Sequence, residues 1–550
     1  MSADDNRPSQ GGATAPGPEA RRFFVGLWGL WILLLSACAA PSCLATGVTL
    51  ITHGFNSDAD DWVRGMADSI PSNIRFPGTQ FTTYKIILTS DGNYQCSRAS
   101  GNAPTLTDSG EIIVRLDWSQ MAGTLFPPSG GSSTYYVAQI ASQVLQDANA
   151  ISELGGHALA EFPLHLAGHS RGGSLINEIT RLLGTNGLWV DHLSSLDPHP
   201  LNNDGNNDWL FATVDASASS TFANVLFRDN YWQGLGDNLF VPNGKPASGA
   251  YNRELTILSE GYDNPHSNVH LWYHGTLDWR TPTSDGSASI TSDERISWWV
   301  AYEDQGVVAG FNCSLIGGAD RLSPDQPLGP GFPAIQDGYN QYWDLGLGTA
   351  ANRTALPANN GTWPNLIKFN RVDTNAVVQG QSLWIKFYYQ WARPNTTNAT
   401  VSFYLDDDFN PLNFNQKFLK QISVPGNGAS FVSYANASLT LDPTNAAPGY
   451  HALYASITGG GLTRHLYAPE LVELVPSPQP PTLDIWKVSE SRYRIAVNAQ
   501  PGQNIVLENS TDLQTWSALA TNSIETPPWL YTNSPPSSPN QRFYRAVLSP

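Results

Sequence analysis

From residue 47 to about residue 299, short apolar and β-branched runs alternate with stretches of helical spacing. Residues 48–51 (VTLI), 112–116 (IIVRL) and 164–167 (LHLA) read as buried strands, and 193–196 and 225–227 as two more. Val137, Ile140, Val144 and Leu145 recur at three- to four-residue spacing and predict a helix over 135–151; a second is predicted over 173–183. Strands that are apolar at successive positions and joined by helices make a parallel sheet covered on both faces. The expected fold class for residues 46–299 is therefore α/β.

Beyond residue 300 this alternation dissolves. Residues 300–362, rich in Gly, Pro and Asp, read as a connector. From 363 to 475 runs at 383–389, 399–405, 431–439 and 451–457 read as strands between turns with no helical period, which predicts a β-sandwich (Ig-like) domain. A Pro-rich linker at 476–481 precedes a small all-β domain over 482–550, with strands at 492–497, 504–507 and 542–547. Its Ser510 to Trp516 run and Phe543-Tyr544-Arg545 resemble a β module found at the C-termini of exported bacterial proteins.

Residues 1–45 read as a leader. Arg21 and Arg22 precede an apolar run over 23–35 that is too short to cross a bilayer comfortably, as in a secretory signal; a membrane-anchor helix is the alternative. Leu35-Ser36-Ala37-Cys38 resembles the lipobox of bacterial lipoproteins, which implies attachment to a membrane through a lipidated Cys38, and Arg21-Arg22-Phe23 is similar to a twin-arginine export signal. A cut after Ala45 competes with the lipobox. The chain is thus expected to be exported, as a bacterial cell-envelope lipoprotein or a secreted protein.

Composition narrows the partners. With 48 Gly, 39 Pro and 60 aromatic residues (18 Trp, 21 Tyr, 21 Phe) the chain is turn-rich and globular rather than disordered. A net charge of −18 argues against a nucleic-acid partner, since phosphate binding needs a basic surface. Four cysteines occur, two of them (Cys38 and Cys43) in the leader. Cys96 and Cys313 could pair in an oxidising compartment or remain buried thiols; neither has zinc-site spacing.

The chemistry concentrates in a few places. Gly168-His169-Ser170-Arg171-Gly172 is a G-x-S-x-G motif between a predicted strand and a predicted helix, where flanking glycines permit the tight turn that lifts a serine above a sheet. Such a serine needs a base and an orienting acid downstream. Ile51-Thr52-His53-Gly54-Phe55 closes the first strand with a glycine that frees backbone donors, so Phe55 and Arg171 are the expected oxyanion-hole amides. Chain order requires acid before base. Asp197 in Leu196-Asp197-Pro198 and Asp229 in Phe227-Arg228-Asp229 are the candidate acids. His266, His270 and His274 are the candidate bases, ranked in that order, because Ser267 could cap a helix and leave His266 on the loop before it.

These pieces, with Trp62 and Arg115-Leu116-Asp117-Trp118, stand in an order similar to the pancreatic-lipase-like branch of the α/β-hydrolases, over about residues 47–280. The resemblance implies an α/β-hydrolase fold and a Ser170-Asp197-His266 triad, with Asp197 favoured over Asp229 because Leu-Asp-Pro matches the branch. It implies hydrolysis of carboxylic esters, lipid-like ones foremost, by a lipase- or esterase-like enzyme with no cofactor. Trp209, Tyr231, Trp232, Leu239 and Phe240 could line an acyl pocket or a lid, or simply pack. Residues 203–208 (NDGNND) are rich in oxygen ligands and could take calcium, though a polar turn explains them equally and no distal Glu completes an EF-hand. Asp406-Asp407-Asp408 reads as a hairpin tip. Two other readings stand beside the lipase one: a surface-binding protein on an inactive hydrolase scaffold, and a carbohydrate or polyester esterase whose β modules dock the substrate.

Overall fold

The computed structural model describes residues 47–72, 79–126, 129–200, 215–236, 243–256, 258, 261, 264–277, 298, 310–313, 353–356, 363–371, 376–428, 433–440, 446–537 and 541–549. The leader with Cys38 and Cys43, the calcium candidate at 203–208, and Trp209, Leu239 and Phe240 lie outside the described residues. Among the described residues, no helix is long and apolar enough to cross a membrane.

The first region has β1 (Val48–Thr52), α1 (Trp62–Ser72), β2 (Phe81–Leu88), β3 (Tyr94–Ser100), β4 (Glu111–Asp117), α2 (Thr134–Gln146), β5 (Leu164–His169), α3 (Arg171–Thr185), β6 (Val190–Leu196), β7 (Val225–Trp232), β8 (Tyr251–Glu254) and α4 (Pro265–Leu277). Its eight strands form one sheet in the order β3-β2-β4-β1-β5-β6-β7-β8. All neighbours pair in parallel except β2 and β3. Alternate residues of each central strand feed two separate apolar layers. Val48 and Leu50 of β1, with Ile112 and Val114 of β4, pack against Val137 and Val144 of α2 and Leu175 and Ile179 of α3. Ile51 and Ile113 face the opposite side, among Trp62, Val63 and Met66 of α1 and Val269 and Trp272 of α4. Burial on both faces is why these strands read as unbroken apolar runs rather than alternating ones.

Several predicted boundaries move, each for a physical reason. The helix expected over 135–151 ends at Gln146, because Asp147 adopts an extended conformation and its carboxylate accepts the Asn149 N–H at 2.8 Å, a local bond that competes with the helix. β6 and β7 run longer than their apolar runs, since Asp191, His192, Arg228 and Asp229 are strand residues buried with polar partners. Cys96 is a free thiol on β3, so the expected alternative of a bridge to Cys313 is replaced by a thiol packed against the first apolar layer. Burial pushes its pKa up to about 11, which leaves it a poor nucleophile.

Among the described residues past 363 every regular element is a strand: β9 (Asn365–Arg371), β10 (Ala376–Val378), β11 (Ser382–Gln390), β12 (Asn398–Asp406), β13 (Lys417–Pro425), β14 (Ser433–Thr440), β15 (Gly449–Gly459) and β16 (Leu462–Val475). A five-stranded sheet, β10-β16-β15-β12-β13, and a three-stranded one, β14-β11-β9, contribute to a single apolar cluster, with Ile385 and Phe387 of one beside Val401, Phe403 and Ile457 of the other. Asp406 to Asp408 do lead into the β12–β13 hairpin connection, but Asp406 is buried there, accepting from the Tyr467 hydroxyl and the Asn410 N–H. The last stretch, β17 (Thr482–Ser489), β18 (Arg492–Asn498), β19 (Asn504–Ser510), β20 (Ser517–Ser523), β21 (Trp529–Asn533) and β22 (Phe543–Leu548), forms two three-stranded sheets around Ile495, Val497, Ile505 and Leu507.

Two asparagines join the strand-rich part to the α/β part. The buried Asn365 carboxamide donates to Gly187 O (2.5 Å) and Gln390 Oε1 (3.2 Å), and accepts from Trp189 N (3.2 Å). Asn410 Nδ2 donates to Pro104 O (2.7 Å) and Thr107 O (2.8 Å). Trp363 and Leu412 belong to the same apolar layer as α2 and α3. Replacing Asn365 by Ala strands the buried Gly187 carbonyl and Trp189 N–H, and is expected to lower the unfolding free energy by about 1–3 kcal/mol in a urea titration; an unchanged midpoint would show that water replaces those bonds.

Candidate active site

The carboxyl ends of β1, β5 and β6 lie side by side, with Thr52 opposite Gly168 and His169 opposite Leu196. In open α/β sheets this edge is where ligands bind, because the loops that leave it are free to vary while the strands hold them in place. Each loop delivers one of the sequence candidates.

Ser170 sits between β5 and α3 with φ 57° and ψ −126°. A residue with a side chain adopts this region only under restraint, at a cost of about 1–3 kcal/mol. The restraint is visible. Ser170 N donates to Leu196 O (2.9 Å), and its carbonyl accepts from Gly173 N (2.9 Å) and His199 N (3.0 Å). Close packing demands the flanking glycines: a Cβ on Gly168 would lie 2.4 Å from the Gly172 carbonyl oxygen, and one on Gly172 would lie 2.4 Å from that of His53. β5 and the first three turns of α3 are buried, whereas Ser170 is partly exposed, so the turn raises one hydroxyl out of the core. That hydroxyl does not cap α3.

Asp197 leaves β6 with φ 43°, held by the bond from its N–H to Tyr231 O (2.7 Å). Its buried carboxylate meets His266 Nδ1 at 2.6 Å and accepts from the Gln233 backbone N–H (3.3 Å) and Nε2 (3.2 Å). Gly244 makes room for it: a Cβ there would stand 2.2 Å from Asp197 Oδ1. A carboxylate only accepts, so His266 carries its proton on Nδ1 and presents Nε2 as a lone pair. Burial holds the His266 pKa below the ordinary histidine value, outweighing the opposing pull of Asp197. Among the described residues no hydrogen bond joins the Ser170 hydroxyl to His266; such bonds commonly close only when substrate is present.

His266 is not on the loop before the helix, as expected, but in the first turn of α4. The cap is Asn264, whose Oδ1 accepts the Ser267 N–H (2.8 Å), and Pro265 takes the first helical position, where a missing N–H does no harm. His169, which occupies the variable position of the motif before Ser170, bonds the His266 carbonyl through Nε2 (2.9 Å), and the two rings lie 4.4 Å apart. His199 Nε2 lies 4.0 Å from Asp197 Oδ2. The ligand atoms of Asp197, His199 and His266 lie within 4.8 Å of one another, so a cation there would occupy the nitrogen and oxygen that now hold each other. The only sequence signal for His169 and His199 was their position beside Ser170 and Asp197.

The other candidates lie elsewhere. Asp229 is in mid-strand, accepting from His192 Nε2 (2.9 Å) and the Tyr231 hydroxyl (2.9 Å) in a fully buried network. His270 stacks on Trp62 with centroids 4.4 Å apart, and His274 Nε2 is 2.6 Å from Ser69 Oγ. Tyr231, which could line a pocket or a lid or simply pack, packs in the core beside Trp272 and Tyr273.

His53 orders the Gly54–Phe55 peptide, which carries one of the two amides expected to form an oxyanion hole. Its Nε2 accepts the Trp118 N–H (3.1 Å), so Nδ1 carries the proton and donates to Gly54 O (2.9 Å). In a trans peptide the carbonyl and the next N–H point in opposite directions, so fixing Gly54 O also fixes the Phe55 N–H. The same peptide runs tightly against Ser170: a Cβ on Gly54 would lie 2.8 Å from Ser170 Cβ and 3.0 Å from Arg171 N. Arg171 opens α3, so its amide is among those that the helix's own carbonyls leave unsatisfied, at the positive end of the dipole. Its side chain does something the sequence did not suggest. Fully buried, it holds Asp215 through Nε (2.5 Å) and Nη2 (2.8 Å), and donates to the carbonyls of Ala122 (2.8 Å), Gly130 (2.7 Å) and Ser132 (2.6 Å). The loop that carries these carbonyls is thereby clamped to the start of α3.

No protein-family profile matches the chain, and no curated protein does. Solved structures similar to parts of it include an inferred cell surface hydrolase from Lactobacillus plantarum WCFS1, 11% identical over 34% of this chain and 68% of that one, with a TM-score of 0.24. A superoxide reductase (neelaredoxin) from Ignicoccus hospitalis is 14% identical over 20% of this chain and 80% of that one, TM-score 0.14. A cytokine receptor complex is 12% identical over 33% and 91%, TM-score 0.15. Scores this low carry no argument about fold or activity.

Asp215→Ala removes the carboxylate that the buried Arg171 guanidinium holds through two of its nitrogens. The expected loss is about 3–5 kcal/mol of unfolding free energy, read by denaturant titration; a loss within experimental error would mean the carbonyl ring alone satisfies Arg171.

Proposed function

We propose that the chain is an exported serine hydrolase of the α/β-hydrolase fold, on the pancreatic-lipase-like branch, that cleaves carboxylic esters. On this reading residues 46–299 are the catalytic domain, and 363–475 and 482–550 are a β-sandwich and a small β domain that follow the 300–362 connector. The observation that carries the proposal is the 2.6 Å contact between the Asp197 carboxylate and His266 Nδ1, at the same sheet edge as the serine of a strained strand-to-helix turn.

His266 Nε2 takes the Ser170 proton as Oγ attacks the acyl carbonyl. Asp197 holds the imidazole in the tautomer that leaves Nε2 free and then stabilises the imidazolium. The amides of Phe55 and Arg171 receive the oxyanion, whose position their fixed backbones anticipate. The imidazolium returns its proton to the departing alcohol, and water, activated by the same nitrogen, releases the acid from the acyl-enzyme. His169 and His199 position the base and the serine peptide. Supporting an apolar acyl group, Phe126 is 84% exposed on the loop that Arg171 clamps, and the neighbouring Leu125 N–H is tied to Asn56 beside the oxyanion peptide.

A fluorophosphonate probe is expected to label the wild-type protein at Ser170 and to leave Ser170→Ala unlabelled; equal labelling of both, or of neither, rejects the proposal. Asp197→Asn and His266→Ala are expected to lower kcat by at least about 10³-fold, with Asp229→Asn and His270→Ala affecting mainly stability; the reverse order would reassign the acid or the base. Long-chain p-nitrophenyl esters should be preferred over acetate, and a preference for short chains would favour a carbohydrate or polyester esterase instead.

The direction of the His266 shift sets the pH dependence. Burial disfavours the imidazolium, so the neutral base persists to lower pH than in a free histidine, and the acid limb of kcat/KM is expected below about pH 6.5. An acid limb at or above that value would contradict a buried, neutral base.

A further inference from the structure

A second group of metal-ligating side chains plays no part in the mechanism above. His157 and Glu161 belong to the segment leading into β5, and His465 to β16, so the group bridges the α/β part and the strand-rich part. Glu161 Oε2 is 2.6 Å from His157 Nδ1 and 3.3 Å from His465 Nε2, and the three ligand atoms all lie within 4.8 Å of one another.

We propose that His157, Glu161 and His465 form a zinc site that locks the strand-rich part onto the α/β part. The donor set is two imidazoles and one carboxylate, which suits zinc and not calcium, a cation that needs six or more oxygens. Tetrahedral bonds of about 2.0–2.1 Å space neighbouring ligand atoms about 3.3 Å apart. Of the three pairs, His465–Glu161 already stands at that spacing, His157–Glu161 opens by less than an ångström at the most exposed member, the 25% exposed His157 side chain, and the two imidazole nitrogens lie within 4.8 Å of each other.

The outer atoms are held as a metal site requires. Glu161 Oε1 accepts the Ala158 N–H (3.1 Å), which leaves Oε2 to face the imidazoles. His465 Nδ1 is 2.5 Å from the Tyr454 hydroxyl, and its ring stacks on Phe162 with centroids 5.1 Å apart. When the dication enters, each imidazole moves its proton to the nitrogen that does not meet the metal, toward the Tyr454 hydroxyl in His465, so both rings bind neutral and the Glu161 carboxylate offsets one of the two metal charges. The nearby Arg464 guanidinium, which would repel a cation, is taken up by Trp189 O (3.2 Å) and Asp191 (3.4 Å). Three protein ligands leave a fourth position for water, reached past His157.

The test uses the tag-free full chain, stripped with a chelator and desalted. It is expected to bind one zinc per chain by elemental analysis and to gain several degrees in Tm with Zn²⁺ but not with Ca²⁺. His157→Gln, at the exposed edge of the group, and His465→Gln should each bind less than a tenth as much zinc and lose the gain in Tm, with circular dichroism confirming that they fold. If His465→Gln does not fold, His157→Gln decides alone. Asp197→Asn should keep the zinc, which separates this group from the one at the candidate active site. Zinc uptake by His157→Gln equal to wild type, loss of zinc in Asp197→Asn instead, or no stoichiometric uptake by the folded wild type would each overturn the proposal.

Discussion

A single residue forced into a backbone conformation it would not choose organises the α/β part of this protein. Ser170 can hold φ 57° only because three backbone hydrogen bonds tie its peptide units to Leu196, Gly173 and His199, and because two glycines let neighbouring chain pass within contact distance. The strain is compensated by β6, which must therefore end beside β5 in register. That register in turn places Asp197 next to the turn. The positions of serine and acid are thus one constraint rather than two.

Buried polar groups separate the remaining candidates. Asp197 and Asp229 are both carboxylates on neighbouring strands, and both have a histidine at hydrogen-bond distance. They differ in where the strand leaves them. Asp229 is in mid-strand, closed in by His192 and Tyr231 under the helical layer, whereas Asp197 lies past the strand end, where α4 can bring His266 to it. The histidines of α4 sort by helical position: His266 in the first turn reaches the strand ends, His270 one turn later meets Trp62, and His274 a turn further on meets Ser69.

The strand-rich part is not an independent appendage in its contacts. Trp363 and Leu412 complete the apolar layer over α2 and α3, two asparagine carboxamides satisfy carbonyls of the first region, and His465 and Arg464 of β16 meet Glu161 and Asp191. Burying a charged side chain at such a junction is unfavourable unless its partner comes with it. The arrangement therefore fixes which face of β16 can dock, and it brings together the imidazoles and carboxylate assigned above to zinc.

Local pattern was enough to fix the alternation of buried strands and helices around residues 47–277, the tight turn at Ser170 and the change to pure strand after residue 363, because each depends on periodicity or on glycine at fixed offsets. It could not show that β6 and β7 run on through charged residues, that Asn264 rather than Ser267 caps α4, or that the side chain of Arg171 reaches Asp215. Those facts depend on partners 37 to 44 residues away or on which of two polar side chains three residues apart turns toward the helix. A hydrogen bond between distant groups leaves no period in the chain; it exists only once the sheet has set the distance.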